Sequence, residues 1–357
     1  MTWDQYQSAF VARAERSGKS RAYVKRCLDY AAPLFAQDLP VIFDANHIAK
    51  LTGRSAQYLY SMTRFPRCHY RSFSIAKKGG GERHIDEPEP DLKCIQRWIL
   101  DDILTHLPVS PYAKAYIQGS SIRDNARFHR NQETVLTVDI KDFFPSIRRK
   151  SVFFVFRKAG YSDTVAAFLA NLCCLEDCLP QGAPTSPMLS NIIFSDLDAA
   201  IAEFTSARGL RYTRYADDIT ISGRVDIRET LRFLHPLLNA RGFRLNPEKT
   251  RVLGRNMRQS VTGIVVNRYL QVPVEVRKDL RQQVYYIRKF GLDSHMDRIG
   301  TNSNMAHVGE SGINYIERLI GLAGHALFVN PGDEEMREYY QYLRGLRGAE
   351  PGEAWPN

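Results

Sequence analysis

The sequence predicts an α+β fold, with helical segments before and after a mixed centre. Three observations carry this. β-type runs at 134–147, 210–222 and 242–266 are separated by long helical stretches, so a sheet built from them joins strands that are not neighbours in the chain. Residues 1–65 and 266–346 carry apolar side chains at helical spacing. The composition, 44% hydrophobic and 25% charged with 18 Tyr, 18 Phe and 3 Trp, is that of a folded chain and excludes a mainly disordered one. At 357 residues the chain exceeds one compact core, and two or three lobes are expected.

The elements follow in order. Thr2 caps a first helix, with Gln5 at the capping-box position and Gly18 as its stop. Asp44 caps a helix to Leu51, Gly53 breaks it, and Ser55 starts another carrying Tyr58, Leu59 and Met62. The pair has the outline of a helix-turn-helix. With only Arg54 and Arg64 as basic groups, it reads better as two packing helices. Residues 70–90 alternate on both sides of Lys77-Lys78-Gly79-Gly80-Gly81, which predicts a hairpin with a basic tip. Asp91 opens a helix striped by Leu92, Ile95, Trp98, Ile99 and Leu104. A helical stretch runs from Ser151 to Leu175, and a Pro/Gly loop covers 179–187. Ser186 as N-cap and Pro187 at the first helical position launch the next helix. Helices are expected at 227–240, 274–295 and 312–346, a loop near 300–310, and a frayed tail from Arg347.

The formal charge is +10, which makes a polyanion a plausible partner. No window of about 18 apolar residues is free of charge, so no transmembrane helix is expected, and the first residues lack a secretory pattern. Six cysteines are too few for a disulfide framework, and Cys173, Cys174 and Cys178 have no partner pair at zinc spacing. Reduced thiols in a cytoplasmic protein are the expectation.

The acidic residues point to chemistry. Asp139 ends an apolar strand, and Asp217 and Asp218 sit in a tight turn between two strands. Strand interiors disfavour Asp, and adjacent carboxylates repel unless a cation neutralises them. Three carboxylates from neighbouring strands suit two Mg²⁺ ions set for in-line phosphoryl displacement. An Asp pair in a turn is also common for conformational reasons alone.

The surroundings decide between these. Val138-Asp139-Ile140-Lys141-Asp142-Phe143-Phe144-Pro145-Ser146-Ile147, then Leu179-Pro180-Gln181-Gly182-Ala183-Pro184-Thr185-Ser186-Pro187, then Tyr215-Ala216-Asp217-Asp218 occur in the order of the reverse transcriptase blocks. The chain resembles that family from about residue 70 to 265. Asn125-Ala126-Arg127-Phe128-His129 is similar to the Asn-Ala-x-x-His signature of retron reverse transcriptases, and Val261-Thr262-Gly263 to their second signature.

The resemblance implies a right-hand polymerase architecture with fingers, an antiparallel palm sheet and a helical thumb. It divides the chain into an N-terminal helical segment (1–65), fingers and palm (66–265), a helical thumb and RNA-recognition region (266–346) and a tail (347–357). By resemblance, Asp139 and Asp217 are the principal ligands of two Mg²⁺, and Asp218 is the third carboxylate. Phe144 stands under the incoming sugar and excludes a 2′-OH. Gln181 stands at the dNTP, and the small Gly182 lets a base pair approach. Lys78 and Arg83 meet the triphosphate, and Tyr215 packs near the primer end. Arg277, Lys278 and Arg281, near Tyr285, offer a basic helical face to the duplex. Asn125 and His129 either handle RNA or form a structural hydrogen bond. The implied function is copying part of a cognate non-coding RNA from a guanosine 2′-OH primer. The product is branched msDNA, in a bacterial anti-phage system with a separate effector protein and no membrane. The alternatives are a group II intron-like or diversity-generating reverse transcriptase, or a catalytically silent RNA-binding protein.

Overall fold

The computed structural model describes residues 1–76, 80–301 and 312–348. The chain begins with α1 (Trp3–Arg16), α2 (Arg21–Phe35), α3 (Ala45–Thr52) and α4 (Ala56–Arg64). Next come β1 (Tyr70–Ala76), β2 (Glu82–Pro88), α5 (Pro90–Asp102), α6 (Ile122–Phe128) and β3 (Thr134–Lys141). Four helices follow, α7 (Phe143–Ser146), α8 (Arg149–Lys158), α9 (Asp163–Cys173) and α10 (Ser186–Ser206). Then come β4 (Arg211–Tyr215), β5 (Asp218–Gly223), α11 (Ile227–Asn239) and β6 (Arg244–Gly254). The remaining described elements are β7 (Ser260–Val261), β8 (Ile264–Val265), α12 (Val274–Phe290), α13 (Leu292–Thr301), α14 (Gly312–Val329) and α15 (Glu334–Gly348). The α+β class expected from the sequence holds.

Two compact units share the chain. The first takes residues 1–117, 139–204 and 228–248, and the second 118–138, 205–227 and 249–357.

In the first unit the caps form where local chemistry places them. Thr2 and Gln5 make a reciprocal capping box on α1. Asp44 caps α3, Gly53 ends it at φ 66°, and Ser55 caps α4. Ile48, Ala49, Leu59 and Met62 are buried, so α3 and α4 are packing helices. β1 and β2 pair antiparallel from Tyr70↔Pro88 to Ala76↔Glu82. The tip lysines, including Lys78, lie outside the described residues. Two expectations need correction. The single helix over 151–175 is two helices, because Gly160 turns the chain at φ 109° and Ser162 caps α9. Ser186 is the first residue of α10 and does not cap it, because its hydroxyl donates to the Pro180 carbonyl at 2.8 Å.

The second unit is built on a four-stranded sheet of order β4-β5-β3-β6. β4 and β5 are antiparallel. Pro247 fits in β6 because an edge strand leaves one row of N–H groups unused. The core of this unit gathers Val135, Val266, Leu280, Tyr315, Leu319 and Leu343 among others. All six cysteines are free, and burial pushes the Cys173 thiol up to about 12. Among the described residues no helix is long and apolar enough to cross a membrane.

Candidate active site

Asp139 stands near the end of β3 among buried Val135, Leu136, Val138 and Ile140, and is itself only 6% exposed. Asn246 of β6 donates its Nδ2 to Asp139 Oδ2 at 3.4 Å. Its own Oδ1 accepts the Glu248 N–H at 3.2 Å, which fixes the amide orientation. Just past Asp139, Asp142 adopts φ 48° and turns the chain into α7. This reversal separates two adjacent aromatics. Phe143 is 5% exposed and packs against Phe194 and Phe243, with ring centroids 5.9 and 5.8 Å away. It is a core residue. Phe144 stays half-buried, with its centroid 6.5 Å from Tyr116. Tyr116 adopts φ 62° and is 46% exposed. A bulky residue in left-handed backbone is a strained one, and nothing in the local sequence announced it.

The 179–187 loop is tied to the hairpin. The Gln181 carbonyl accepts the Asp86 N–H at 2.9 Å. Gly182 sits at φ 140°, and a Cβ there would meet Asp86 O at 2.6 Å and Asp86 C at 3.0 Å. The missing side chain therefore makes room for the backbone of β2. Asp86, which sequence reasoning passed over, gathers this corner. Its carboxylate accepts from Ser72 Oγ at 2.5 Å and Arg67 Nη1 at 3.0 Å, and His84 Nε2 lies 3.3 Å away. Arg83, opposite Ile75 on β2, is exposed.

In the second unit, Tyr215 pairs with Asp218, which leaves Ala216 and Asp217 as a two-residue loop. Ala216 adopts φ 57°, costing about 1–2 kcal/mol for a residue with a Cβ. Arg214, the largest fully buried side chain, donates Nη1 to the Ala216 carbonyl at 3.1 Å. The turn is thus held from inside by a guanidinium that sequence reasoning did not single out. Ala216 is buried, Asp217 half-buried and Asp218 exposed, so the strained turn carries its carboxylates outward.

Asn125 and His129 are both 0% exposed. Asn125 lies on α6, and His129 follows at its C-cap. Thr213 Oγ1 donates to Asn125 Oδ1 at 2.6 Å. Its proton being spent there, it accepts from His129 Nε2–H at 2.7 Å, so His129 Nδ1 accepts from Ser222 Oγ at 2.7 Å. At the other end Asn125 Nδ2 donates to Thr262 Oγ1 over a long 3.5 Å. Thr262 and Gly263 both have positive φ, 47° and 82°, and close the β7–β8 turn after buried Val261. The two signatures therefore meet: Asn125, His129 and Val261 are buried, Thr262 is half-buried and Gly263 exposed.

Burial lowers the His129 pKa from 6.5 to about 3, with the Arg211 charge adding to the effect. Between those values the unfolded chain binds a proton that the folded chain refuses. The stability from this group is complete above the unfolded value and falls by about 1.4 kcal/mol per pH unit as acid is added. Urea midpoints from pH 7.5 to 5 are expected to fall more steeply for the wild type than for His129→Gln. Equal slopes would refute this origin.

The basic face of α12 has partners within the second unit. Arg277 binds Asp333 at 2.9 Å and Glu335 at 2.9 Å, and Arg281 binds Glu335 through two bonds of 2.6 and 3.0 Å. These guanidinium groups fasten α12 to the start of α15. The Arg281 bond first, with those of Arg277 and Tyr339, holds the Glu335 carboxyl far below its usual range, at about 2, against the opposing effect of partial burial. The acidic cluster Glu334, Glu335 and Glu338 was the available clue. Of the three predicted residues only Lys278 remains exposed with no such partner among the described residues, and Tyr285 (53% exposed) and Lys289 share its helix.

Among the described residues no three His, Cys, Asp or Glu side chains are grouped so that protein alone holds a metal ion. Mg²⁺ is commonly bound by one or two carboxylates, with phosphate oxygens and water completing its shell. Asp139, Asp217 and Asp218 supply hard oxygen donors of that kind.

The family Reverse transcriptase (RNA-dependent DNA polymerase) matches residues 75–270. The chain belongs to the reverse transcriptases, with their α+β polymerase fold and RNA-directed DNA polymerase activity. Within them it is a retron reverse transcriptase. It is 34% identical to the retron Ec86 reverse transcriptase of Escherichia coli over 255 residues, covering 70% of this chain and 79% of that one. To the retron Mx65 reverse transcriptase of Myxococcus xanthus it is 37% identical over 279 residues, covering 71% and 65%. To the retron Mx162 reverse transcriptase of the same organism it is 34% identical over 257 residues, covering 62% and 53%. Among solved structures, a Candida albicans telomerase in complex with a telomeric RNA fragment aligns with TM-score 0.43 at 10% identity, over 78% of this chain and 63% of that one.

Proposed function

We propose that this reverse transcriptase copies part of a cognate structured RNA into DNA from a guanosine 2′-OH of that RNA, leaving a branched RNA–DNA product. The observation that carries the reading is the β4–β5 turn, where buried Ala216 is held at φ 57° and the Asp217 and Asp218 carboxylates face outward. In this reading Asp139 and Asp217 hold two Mg²⁺, assisted by Asp218. Bound there, the ions lower the pKa of the attacking hydroxyl and neutralise charge on the triphosphate. The new bond forms between the primer oxygen and the α-phosphorus. The bond from that phosphorus to the α,β-bridging oxygen breaks as pyrophosphate departs, and the hydroxyl proton passes to water.

The other residues bind and orient. Arg83, and Lys78 outside the described residues, bind the triphosphate. Gln181 orients the dNTP, and Tyr215 steadies the primer end. Lys278 and Tyr285 meet the duplex, one by charge and one by stacking. Phe144 blocks a ribose 2′-OH. Phe144→Ala is therefore expected to raise rNTP use relative to dNTP by about 10²-fold, the scale of a lost steric exclusion in a nucleotide pocket. Unchanged selectivity in single-nucleotide addition removes that role.

The protein is read as a cytoplasmic bacterial enzyme that serves phage defence with a separate effector protein. The deciding experiment is sequencing of the nucleic acid that co-purifies with it, before and after debranching. A 2′,5′-branched RNA–DNA species supports the reading. A spliced intron or only linear cDNA overturns the retron part. Lack of dNTP incorporation on an RNA template with Mg²⁺ overturns the polymerase part.

A further inference from the structure

β4 is an edge strand, paired on one side only. It is five residues long and leads directly into the strained Ala216 turn that bears Asp217. A short edge strand beside a strained turn is poorly fixed in register and angle by backbone pairing alone. Three side-chain ties from the 125–129 segment supply the missing restraint. Arg211 Nη1 donates to the Phe128 carbonyl at 2.7 Å. Thr213 binds both Asn125 and His129, at 2.6 and 2.7 Å. His129 reaches past β4 to Ser222 on β5, at 2.7 Å. Thr213 stands on the strand leading into the turn, and Ser222 on the strand leading out. Their ladder partners are Thr220 and Arg211, so His129 bridges the two strands diagonally, across the register. Each hydroxyl has one assigned proton direction, and the imidazole one tautomer. A twist of β4 against β5 therefore breaks at least one buried bond and leaves a polar group without its partner.

We propose that Asn125 and His129 are positioning residues for Asp217, acting through Thr213 and Ser222 to hold the β4–β5 hairpin in the pose the polymerase reaction needs. The inference rests on the reading of Asp217 as a catalytic carboxylate. It assigns the Asn-Ala-x-x-His signature to the aim of the catalytic turn and not to contact with RNA.

The test uses the full chain with its co-purified nucleic acid. Thr213→Val removes the hydroxyl at nearly constant shape, and Thr213→Ser keeps it. Single-nucleotide addition is measured against dNTP and Mg²⁺ concentration, together with RNA affinity and the thermal midpoint. Thr213→Val is expected to lower the maximal rate by about 10–10²-fold, the scale of a small misplacement of a reacting group, and to raise the Mg²⁺ needed for half-maximal rate. dNTP KM and RNA Kd are expected to stay within about twofold, and Thr213→Ser to restore the rate. Ser222→Ala makes the same comparison at the other nitrogen should Thr213→Val not fold. A wild-type rate with only a lower thermal midpoint overturns the proposal, as does a loss confined to RNA affinity. Asp217→Asn is run in parallel. If it remains active, the parent reading fails. If it is inactive while Thr213→Val and Ser222→Ala run at wild-type rate, only the positioning role fails.

Discussion

Asp217→Asn is expected to lower dNTP incorporation on an RNA template by at least about 10²–10³-fold, the loss that follows deletion of one preorganised electrostatic contact to a transition state. A 10³-fold loss corresponds to about 4 kcal/mol of barrier. The substitution keeps the shape and removes the charge. The turn should survive it, because its conformation depends on other groups: the Arg214 guanidinium on the Ala216 carbonyl and the Tyr215–Asp218 pair that closes the loop. Asp217 is half-buried, so an amide in its place can still be hydrated. Thermal midpoint and RNA affinity are therefore expected to remain near wild type while the rate collapses. A neutral amide oxygen is a weaker ligand than a carboxylate for a small hard cation. Excess Mg²⁺ should accordingly recover part of the lost rate. The measurement is single-nucleotide addition at saturating dNTP across a Mg²⁺ series. An Asp217→Asn enzyme that runs at wild-type speed would remove the carboxylate from the chemistry.

The features legible in the sequence are those whose causes lie within a few residues. Thr2 with Gln5, Asp44 before α3 and Ser55 before α4 are caps whose partners stand three residues away. The β1–β2 hairpin and the Tyr215–Asp218 turn are likewise local, and their alternation with turn residues was sufficient. What stayed hidden depends on partners far along the chain. The basic stripe of α12 looked like a nucleic-acid face because Glu335, which binds Arg277 and Arg281, is more than fifty residues away. Asn125 and His129 looked ambiguous because Thr213 and Ser222 reach them only after the sheet has formed. Arg214 was not singled out, because nothing within the strand sequence marks the one arginine that lies wholly inside. Helical and strand periodicity report which face is apolar. They do not report which polar group on the buried face has a partner, and in this chain the signature residues are of that kind.

Gly182→Ala is expected to be the most disruptive small change where the 179–187 loop meets β2. Two costs add. At φ 140° an L side chain is strained wherever it points, at about 1–3 kcal/mol. The new methyl would also meet backbone atoms of Asp86 at 2.6 and 3.0 Å, which no rotamer change relieves. Overpacking of this kind costs a further 1–3 kcal/mol or so. The strand and loop can separate only by breaking the Asp86 N–H to Gln181 carbonyl bond, the contact that sets their distance. Separation would also shift Arg83, three residues before Asp86 on β2, relative to Gln181. If these two groups bind opposite parts of one dNTP, KM for dNTP should rise more than kcat falls. The thermal midpoint should drop at the same time. Gly345→Ala is the control. It lies within α15, where an added methyl would meet nothing within 4 Å, and should stabilise the protein by up to about 1 kcal/mol. A Gly182→Ala enzyme with wild-type midpoint and wild-type KM would mean that the loop and β2 part freely, and that their contact contributes nothing to holding the nucleotide.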